Sequence, residues 1–132
     1  AAPPSSRIRA GRLRGLVIDD EPDARHVLVR LLEDLGMEAF AAADGPSGLE
    51  MAHTHRPDVI LLDLMMPGMT GWEVMTRLRA DDRVRDIPVV VVSIVGRDSR
   101  TSLPDAADYV DKPASREDLA RVLGRTFPLP AG

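Results

Sequence analysis

The chain contains no cysteine, few aromatic residues and a single lysine. Without cysteine, neither a disulfide framework nor a thiolate metal site can form. Aromatic residues make up only 3% of the chain, which argues against a stacking platform for single-stranded nucleic acid. No apolar run reaches the length of a membrane span, and the N-terminal arginines are not followed by the apolar core of a signal peptide. We therefore expect a cytoplasmic domain with no membrane segment in this fragment.

The chain does have enough apolar residues for one core. Its 132 residues are 44% hydrophobic, which suits one compact domain that buries about two thirds of its unfolded surface. Arg7, Arg9, Arg12 and Arg14 all precede the first acid, Asp19. With those four arginines set aside, 13 basic residues stand against 21 acidic ones. An acidic body repels the phosphate backbone, so we expect no direct binding of nucleic acid.

Strand-like and helical patterns alternate along the chain. Short apolar runs predict strands at 15–18, 38–42, 59–62, 89–92 and 108–110. Helical spacing and helix-start signals predict helices over 22–35, 44–56 and 72–79, and a final helix after a capping box of Ser115 and Asp118. A fourth helix, between Ser93 and Lys112, is predicted to be short because its segment is polar and contains Pro104. This alternation predicts an α/β fold, a parallel sheet with helices on both faces.

A reactive polar residue follows four of the predicted strands. Asp19 and Asp20 follow the first strand, Asp63 the third, Ser93 the fourth and Lys112 the fifth. The carboxyl ends of parallel strands lie at one edge of a sheet, so we expect these side chains to meet. Three carboxylates in one cleft repel one another unless a cation neutralises them. Oxygen ligands of this kind are those that Mg²⁺ prefers, commonly together with a substrate phosphate.

The motifs around these residues resemble the receiver domain of bacterial response regulators, over 16–125. The resemblance rests on VIDDEP, ILLDLMMPGMTG around Asp63, VVVVS ending at Ser93, and DYVDKP ending in Lys112 and Pro113. It implies a flavodoxin-like, five-stranded, doubly wound parallel sheet in the order 2-1-3-4-5. It also implies a phosphoacceptor switch in a two-component phosphorelay. Such a domain is not a turnover enzyme on an external substrate; at most it phosphorylates itself from phosphodonors and loses the group again.

By the same resemblance, Asp63 accepts a phosphoryl group from a phosphohistidine on a histidine kinase or phosphotransfer domain. Asp20, Asp63 and the backbone carbonyl of Met65 would bind Mg²⁺ or Mn²⁺ directly. Asp19 would act through a metal-bound water.

The remaining signature residues would contact the phosphoryl group or respond to it. Lys112 and Ser93 would each bind a phosphoryl oxygen, and a compact ammonium suits this task as a point charge. Ser93 and Tyr109 would form the conformational switch. Pro113 would follow a cis peptide bond.

The sequence departs from the family in the region after Ser93. The connection to Lys112 is short, and bulky Ile94 stands where a small residue is common, which we expect to narrow access to the phosphoryl site. Apolar Met65 and Val95 occupy positions that tune phosphoryl lifetime in the family, so we expect a long-lived phosphoryl group.

The context of the domain is also predicted from these features. The SIV segment after the fourth strand and the short connection resemble those of receivers attached to hybrid sensor histidine kinases. Together with the linker-like start, this resemblance implies a receiver fused C-terminally to such a kinase. We expect a linker or disordered tail at 1–14, the receiver at 15–127 and a C-terminal tail at 128–132.

Two alternatives remain open from the residues. A Mg²⁺-dependent phosphohydrolase of the haloacid dehalogenase type also forms an aspartyl phosphate, but it carries a second Asp two residues after the nucleophile, where this chain has Met65. A pseudo-receiver that only binds partners is the other alternative, although it should have lost acidic, hydroxyl or lysine positions. His53 and His55 are two residues apart near a helix end, where they diverge, so we expect no metal site there.

Overall fold

The computed structural model describes residues 13–94 and 106–126. The predicted short fourth helix and Val95 lie outside the described residues, so the final helix is numbered α4. The elements are β1 (Arg14–Ile18), α1 (Pro22–Asp34), β2 (Glu38–Ala42), α2 (Gly45–His55), β3 (Val59–Leu62), α3 (Gly71–Arg79), β4 (Val89–Ser93), β5 (Asp108–Asp111) and α4 (Arg116–Thr126). The five strands form one parallel sheet in the order β2-β1-β3-β4-β5, which confirms the predicted topology.

The sheet separates two apolar layers. Alternate strand residues, such as Ile60 and Leu62, pack with α2 and α3. Their neighbours, such as Val59 and Leu61, pack with α1 and α4. All four β3 residues are fully buried, which explains why this strand is an uninterrupted apolar run in the sequence. The predicted fold of helices on both faces is confirmed.

Side-chain caps fix where three of the helices begin. Asp44 accepts a hydrogen bond from the Ser47 N–H at 2.8 Å at the start of α2. At the start of α3, Thr70 and Glu73 form a reciprocal capping box. The predicted capping box before α4 is present, since Ser115 Oγ accepts from the Asp118 N–H and the Asp118 carboxylate accepts from the Ser115 N–H. These caps satisfy N–H groups that a helix leaves unpaired at its first turn.

The first strand begins at Arg14, one residue before the expected start at Gly15. Arg14 pairs with Glu38 of β2, its N–H donates to Oδ2 of the Asp58 side chain at 2.7 Å, and the Asp58 N–H donates to the Arg14 carbonyl at 2.8 Å. Leu13 is already buried. Within the described residues, no helix is long and apolar enough to cross a membrane.

Candidate functional site

An acidic cluster lies at the carboxyl ends of β1 and β3. These strands are neighbours, with Ile18 paired to Leu62, so the residues that follow them are adjacent. One carboxylate oxygen from each of Asp19, Asp20 and Asp63 lies within 4.8 Å of the others. Asp19 is wholly buried and Asp63 is 5% exposed, while Asp20 is nearer the surface. The predicted convergence of the three carboxylates is therefore present in the fold.

Lys112 joins this cluster from β5, two strands away from β3. Its Nζ lies 2.8 Å from Asp19 Oδ2 and 3.7 Å from Asp63 Oδ1. The backbone N–H of Lys112 donates to the Ser93 carbonyl at 3.1 Å. The Lys112–Pro113 peptide bond is cis, as predicted. Burial by itself lowers the pKa of Lys112, whereas the nearby carboxylates of Asp19 and Asp63 raise it. The carboxylates have the larger combined effect, so the pKa of Lys112 is above its ordinary value. The lysine therefore remains a cation at neutral pH.

One ammonium does not neutralise three carboxylates. Burial raises the pKa of Asp63 to about 6, with Asp19 and Asp20 adding to the rise and Lys112 opposing it. Among the described residues, the buried Asp19 Oδ2 accepts no hydrogen bond, although Lys112 Nζ approaches it as an ion pair. Three carboxylates whose oxygens lie within 4.8 Å of one another, with excess negative charge, fit a hard divalent cation, because such an ion takes oxygen ligands. The residues present therefore fit Mg²⁺.

The other predicted site residues lie at the same edge or close to it. Ser93 ends β4 and is 3% exposed. Tyr109 lies in β5 opposite Val91 and is half-buried against the α2–α3 layer. Met65 lies in the loop after β3, where its N–H donates to Asp63 Oδ1 at 3.3 Å while its side chain is 55% exposed.

An apolar groove opens beside Lys112, between α1 and the loop after β5. It is a cavity of about 360 Å³ whose rim includes Val27, Ile94 and Pro113. Val27 is 48% exposed and Ile94 is 77% exposed. Ile94 was expected to narrow access to the site, and the structure places its side chain largely in solvent at the rim of this groove.

The two histidines near the end of α2 have different partners. His53 Nε2 lies 3.1 Å from Asp81 Oδ2. His55 stacks on Phe40, with ring centroids 4.0 Å apart. Their side chains therefore diverge, as the spacing predicts.

Sequence reasoning missed two residues that shape the cluster. Arg25, on the first turn of α1, donates through Nη1 to the Asp19 carbonyl at 2.8 Å. Gly71 packs so closely beneath the β3–α3 loop that a Cβ there would overlap the Asp63 carbonyl oxygen and lie 2.6 Å from Leu64 Cα. An arginine on a helix usually indicates a solvated charge, and a glycine after a loop usually indicates a turn, so neither residue gave a distinguishing signal.

Comparison with known proteins gives consistent results. Residues 16–123 match the family model described as the response regulator receiver domain. The chemotaxis protein CheY of Pseudomonas aeruginosa is 34% identical over 118 residues, which cover 85% of this chain and 94% of CheY. Other curated relatives are longer, and the chain spans about half of their length.

Solved structures agree with this match. Vibrio cholerae CheY4 superposes with a TM-score of 0.83 at 28% identity, covering 89% of this chain and all of CheY4. The receiver domain of the sensor histidine kinase PA1611 from P. aeruginosa PAO1, solved with a magnesium ion in its active-site cleft, superposes with a TM-score of 0.77 at 29% identity and covers 87% of this chain and 96% of its own. The acidic cluster, the parallel sheet and the match over most of the chain agree: this chain belongs to the response regulator receiver domain family.

Proposed function

We propose that this chain is a phosphoacceptor switch in which Asp63 takes a phosphoryl group from the phosphohistidine of a histidine kinase or phosphotransfer domain. Receiver domains of response regulators take phosphoryl groups from such proteins. The observation that carries the proposal is the burial of Asp63 between two further carboxylates and the Lys112 ammonium. This arrangement pairs a nucleophile with a fixed positive charge at the place where phosphoryl oxygens would lie.

The proposed step exchanges one bond to phosphorus for another. A carboxylate oxygen of Asp63 attacks the phosphorus, the P–N bond breaks, and its electron pair passes to the imidazole nitrogen, which takes up a proton. Such transfers depend on in-line positioning and on neutralising the phosphoryl oxygens. Lys112 would bind one of those oxygens, and the distance of 3.7 Å between its Nζ and Asp63 Oδ1 supports this role.

Mg²⁺, when bound, would neutralise charge on the nucleophile and on the incoming phosphoryl group. Its proposed direct ligands are Asp20, Asp63 and the Met65 backbone carbonyl, with Asp19 acting through a water. Asp19 is suited to that indirect role because Lys112 already pairs with its Oδ2 and the Glu21 N–H donates to its Oδ1 at 2.9 Å.

Ser93 and Tyr109 are the proposed readout. The Ser93 hydroxyl would bind a second phosphoryl oxygen, and because Ser93 ends β4, its movement would be passed to the residues that follow it in the chain. Tyr109 would change rotamer with that movement. Its half-buried position against the α2–α3 layer supports this role.

The phosphodonor protein would dock over the apolar groove beside Lys112. Val27 and Ile94 offer exposed apolar surface there, next to the site at which the imidazole must arrive.

We also propose a phosphoryl lifetime of minutes rather than seconds, because the exposed Met65 side chain offers no group to hold an attacking water. The proposed receiver unit is 15–127, extended by one residue to include Arg14.

The residue at position 65 argues against the phosphohydrolase alternative. Its second acidic residue would occupy position 65, and methionine has no group that transfers a proton.

Intact-mass measurement after incubation with acetyl phosphate and Mg²⁺ tests the proposal. Wild type should gain the mass of one phosphoryl group, and Asp63→Asn should gain none. Asp58→Asn is the matched control, because Asp58 is an equally buried aspartate at the other end of β3; it should gain the group like wild type. A phosphoryl adduct that persists in Asp63→Asn would show that the nucleophile lies elsewhere.

A further inference from the structure

Arg25 makes a contact that the proposed chemistry does not use. Its backbone N–H donates to the Glu21 carbonyl at 2.9 Å, as expected in the first turn of α1. Its side chain turns back along the chain, and Nη1 donates to the Asp19 carbonyl at 2.8 Å. We propose that Arg25 is a positioning residue, which holds the turn between β1 and α1 so that Asp19 and Asp20 point into the cation site. The inference rests on the proposed function of that site.

Asp19 is fixed at each of its polar groups. Its N–H donates to the Ala42 carbonyl at 3.2 Å, Oδ1 accepts from the Glu21 N–H at 2.9 Å, and Oδ2 pairs with Lys112. The residue is wholly buried, so its backbone carbonyl also needs a partner. Because β1 ends at Ile18, the carbonyl lies beyond the strand ladder. The Arg25 guanidinium supplies the donor.

The contact bears on Asp20 through the covalent geometry of the chain. The Asp19 carbonyl and the Asp20 N–H belong to one planar peptide unit. The orientation of that plane sets the direction in which the Asp20 side chain leaves the backbone. If the donor is removed, the buried carbonyl loses its hydrogen bond, and rotation of the peptide toward water relieves that loss. The same rotation turns the Asp20 carboxylate away from Asp19 and Asp63.

Positioning and simple electrostatics predict opposite results for loss of Arg25. Removing a positive charge near three carboxylates should make the cluster more attractive to a cation. Removing a positioning hydrogen bond should make binding weaker, because Asp20 no longer converges with the other two carboxylates. The sign of the change in Mg²⁺ affinity therefore separates the two roles.

Mg²⁺ titration by calorimetry on the full chain, compared for wild type, Arg25→Gln, Arg25→Lys and Arg30→Gln, tests the inference. Arg30→Gln removes the same charge from an exposed position on the same helix, and it should leave the affinity within about twofold. Arg25→Gln should weaken binding at least about fivefold, which corresponds to about 1 kcal/mol. Arg25→Lys should fall between wild type and Arg25→Gln, because one ammonium donor replaces the hydrogen bond imperfectly.

Amide NMR spectra of the metal-free proteins supply a readout that does not depend on the ion. The Asp20 and Glu21 amides should shift in Arg25→Gln and not in Arg30→Gln. Equal or tighter Mg²⁺ binding by folded Arg25→Gln would overturn the inference. If Arg25→Gln does not fold, the Arg25→Lys variant provides the test. An Arg25→Lys affinity for Mg²⁺ equal to that of wild type would overturn the inference, because it would mean that Arg25 acts only through its charge. Failure of wild type itself to bind Mg²⁺ would instead contradict the proposed function.

Discussion

Asp58 and Asp63 flank the same strand, β3, and each is 5% exposed, yet their surroundings differ. At the amino end, Asp58 Oδ2 accepts a 2.7 Å hydrogen bond from the Arg14 N–H and helps to join β1 to β3. At the carboxyl end, Asp63 accepts a longer bond of 3.3 Å from the Met65 N–H and faces two further carboxylates. Burial of a carboxylate is therefore not evidence of function by itself. What distinguishes the carboxyl end of this strand from its amino end is that three carboxylates there share one ammonium.

Replacing a glycine by alanine near each end of β3 should give the largest difference in stability. Gly71→Ala should lower the free energy of unfolding by about 3 kcal/mol or more, because its Cβ would overlap the backbone of Asp63 and Leu64. In Gly15→Ala, at the amino end, the new Cβ would lie 2.8 Å from Leu32 Cδ1 and 3.4 Å from Met37 Cε, the ends of two flexible side chains, so the substitution should cost about 1 kcal/mol. Urea denaturation measures both values. Equal losses in the free energy of unfolding would mean that the backbone of the β3–α3 loop shifts as easily as a side chain does.

Removal of the cation at each end gives the next contrast. Lys112→Met should lower the free energy of unfolding by about 2 kcal/mol, because it leaves the buried carboxylates of Asp19 and Asp63 without their counter-charge. Arg14→Met breaks a more exposed ion pair with Glu38 and should cost no more than about 1 kcal/mol. Thermal and urea unfolding, measured in buffer that contains a chelator, show which of the two substitutions lowers the stability more. A larger loss for Arg14→Met would contradict the placement of Lys112 as the main counter-charge.

Asparagine substitutions at the two aspartates should act in opposite directions. In metal-free protein at pH 7, Asp63→Asn should raise the free energy of unfolding by about 1–2 kcal/mol, since it removes a repelled, desolvated carboxylate. Asp58→Asn should lower it by about 1–2 kcal/mol, because it weakens a charge-assisted hydrogen bond. Saturating Mg²⁺ should stabilise wild type more than Asp63→Asn. Changes of the same sign would remove the distinction between the two ends.

The pH dependence of metal-free stability extends the same contrast. Burial raises the pKa of Asp63 from 3.8 to about 6, so the folded state holds this proton more tightly than the unfolded chain does. The resulting stabilisation is fully present below pH 3.8 and is lost as pH rises to about 6. Asp63→Asn should lack this loss. Urea midpoints measured across that range for both proteins provide the test.

The residue pattern predicted the strands and the convergence of Asp19, Asp20, Asp63 and Lys112, because apolar runs indicate the strands and parallel strands share an edge. The sheet order came from the family resemblance, and the structure confirms it. The sequence did not predict the roles of Arg25, Asp58 or Gly71. Each of these depends on tertiary contact with backbone distant in sequence, which periodicity does not encode. The start of β1 at Arg14 was missed for the same reason, since pairing with Glu38 and the hydrogen bond to Asp58 extend the strand beyond its apolar run.

Chemical mapping of the modified residue tests the central claim most directly. Borohydride reduces an aspartyl phosphate to an alcohol, which converts the aspartate to homoserine. After phosphorylation in Mg²⁺ and reduction, tandem mass spectrometry of the peptide that contains β3 reads both flanking aspartates at once. We predict homoserine at position 63 and unmodified aspartate at position 58. Homoserine at position 58, or at Asp19 or Asp20 instead of position 63, would contradict the account.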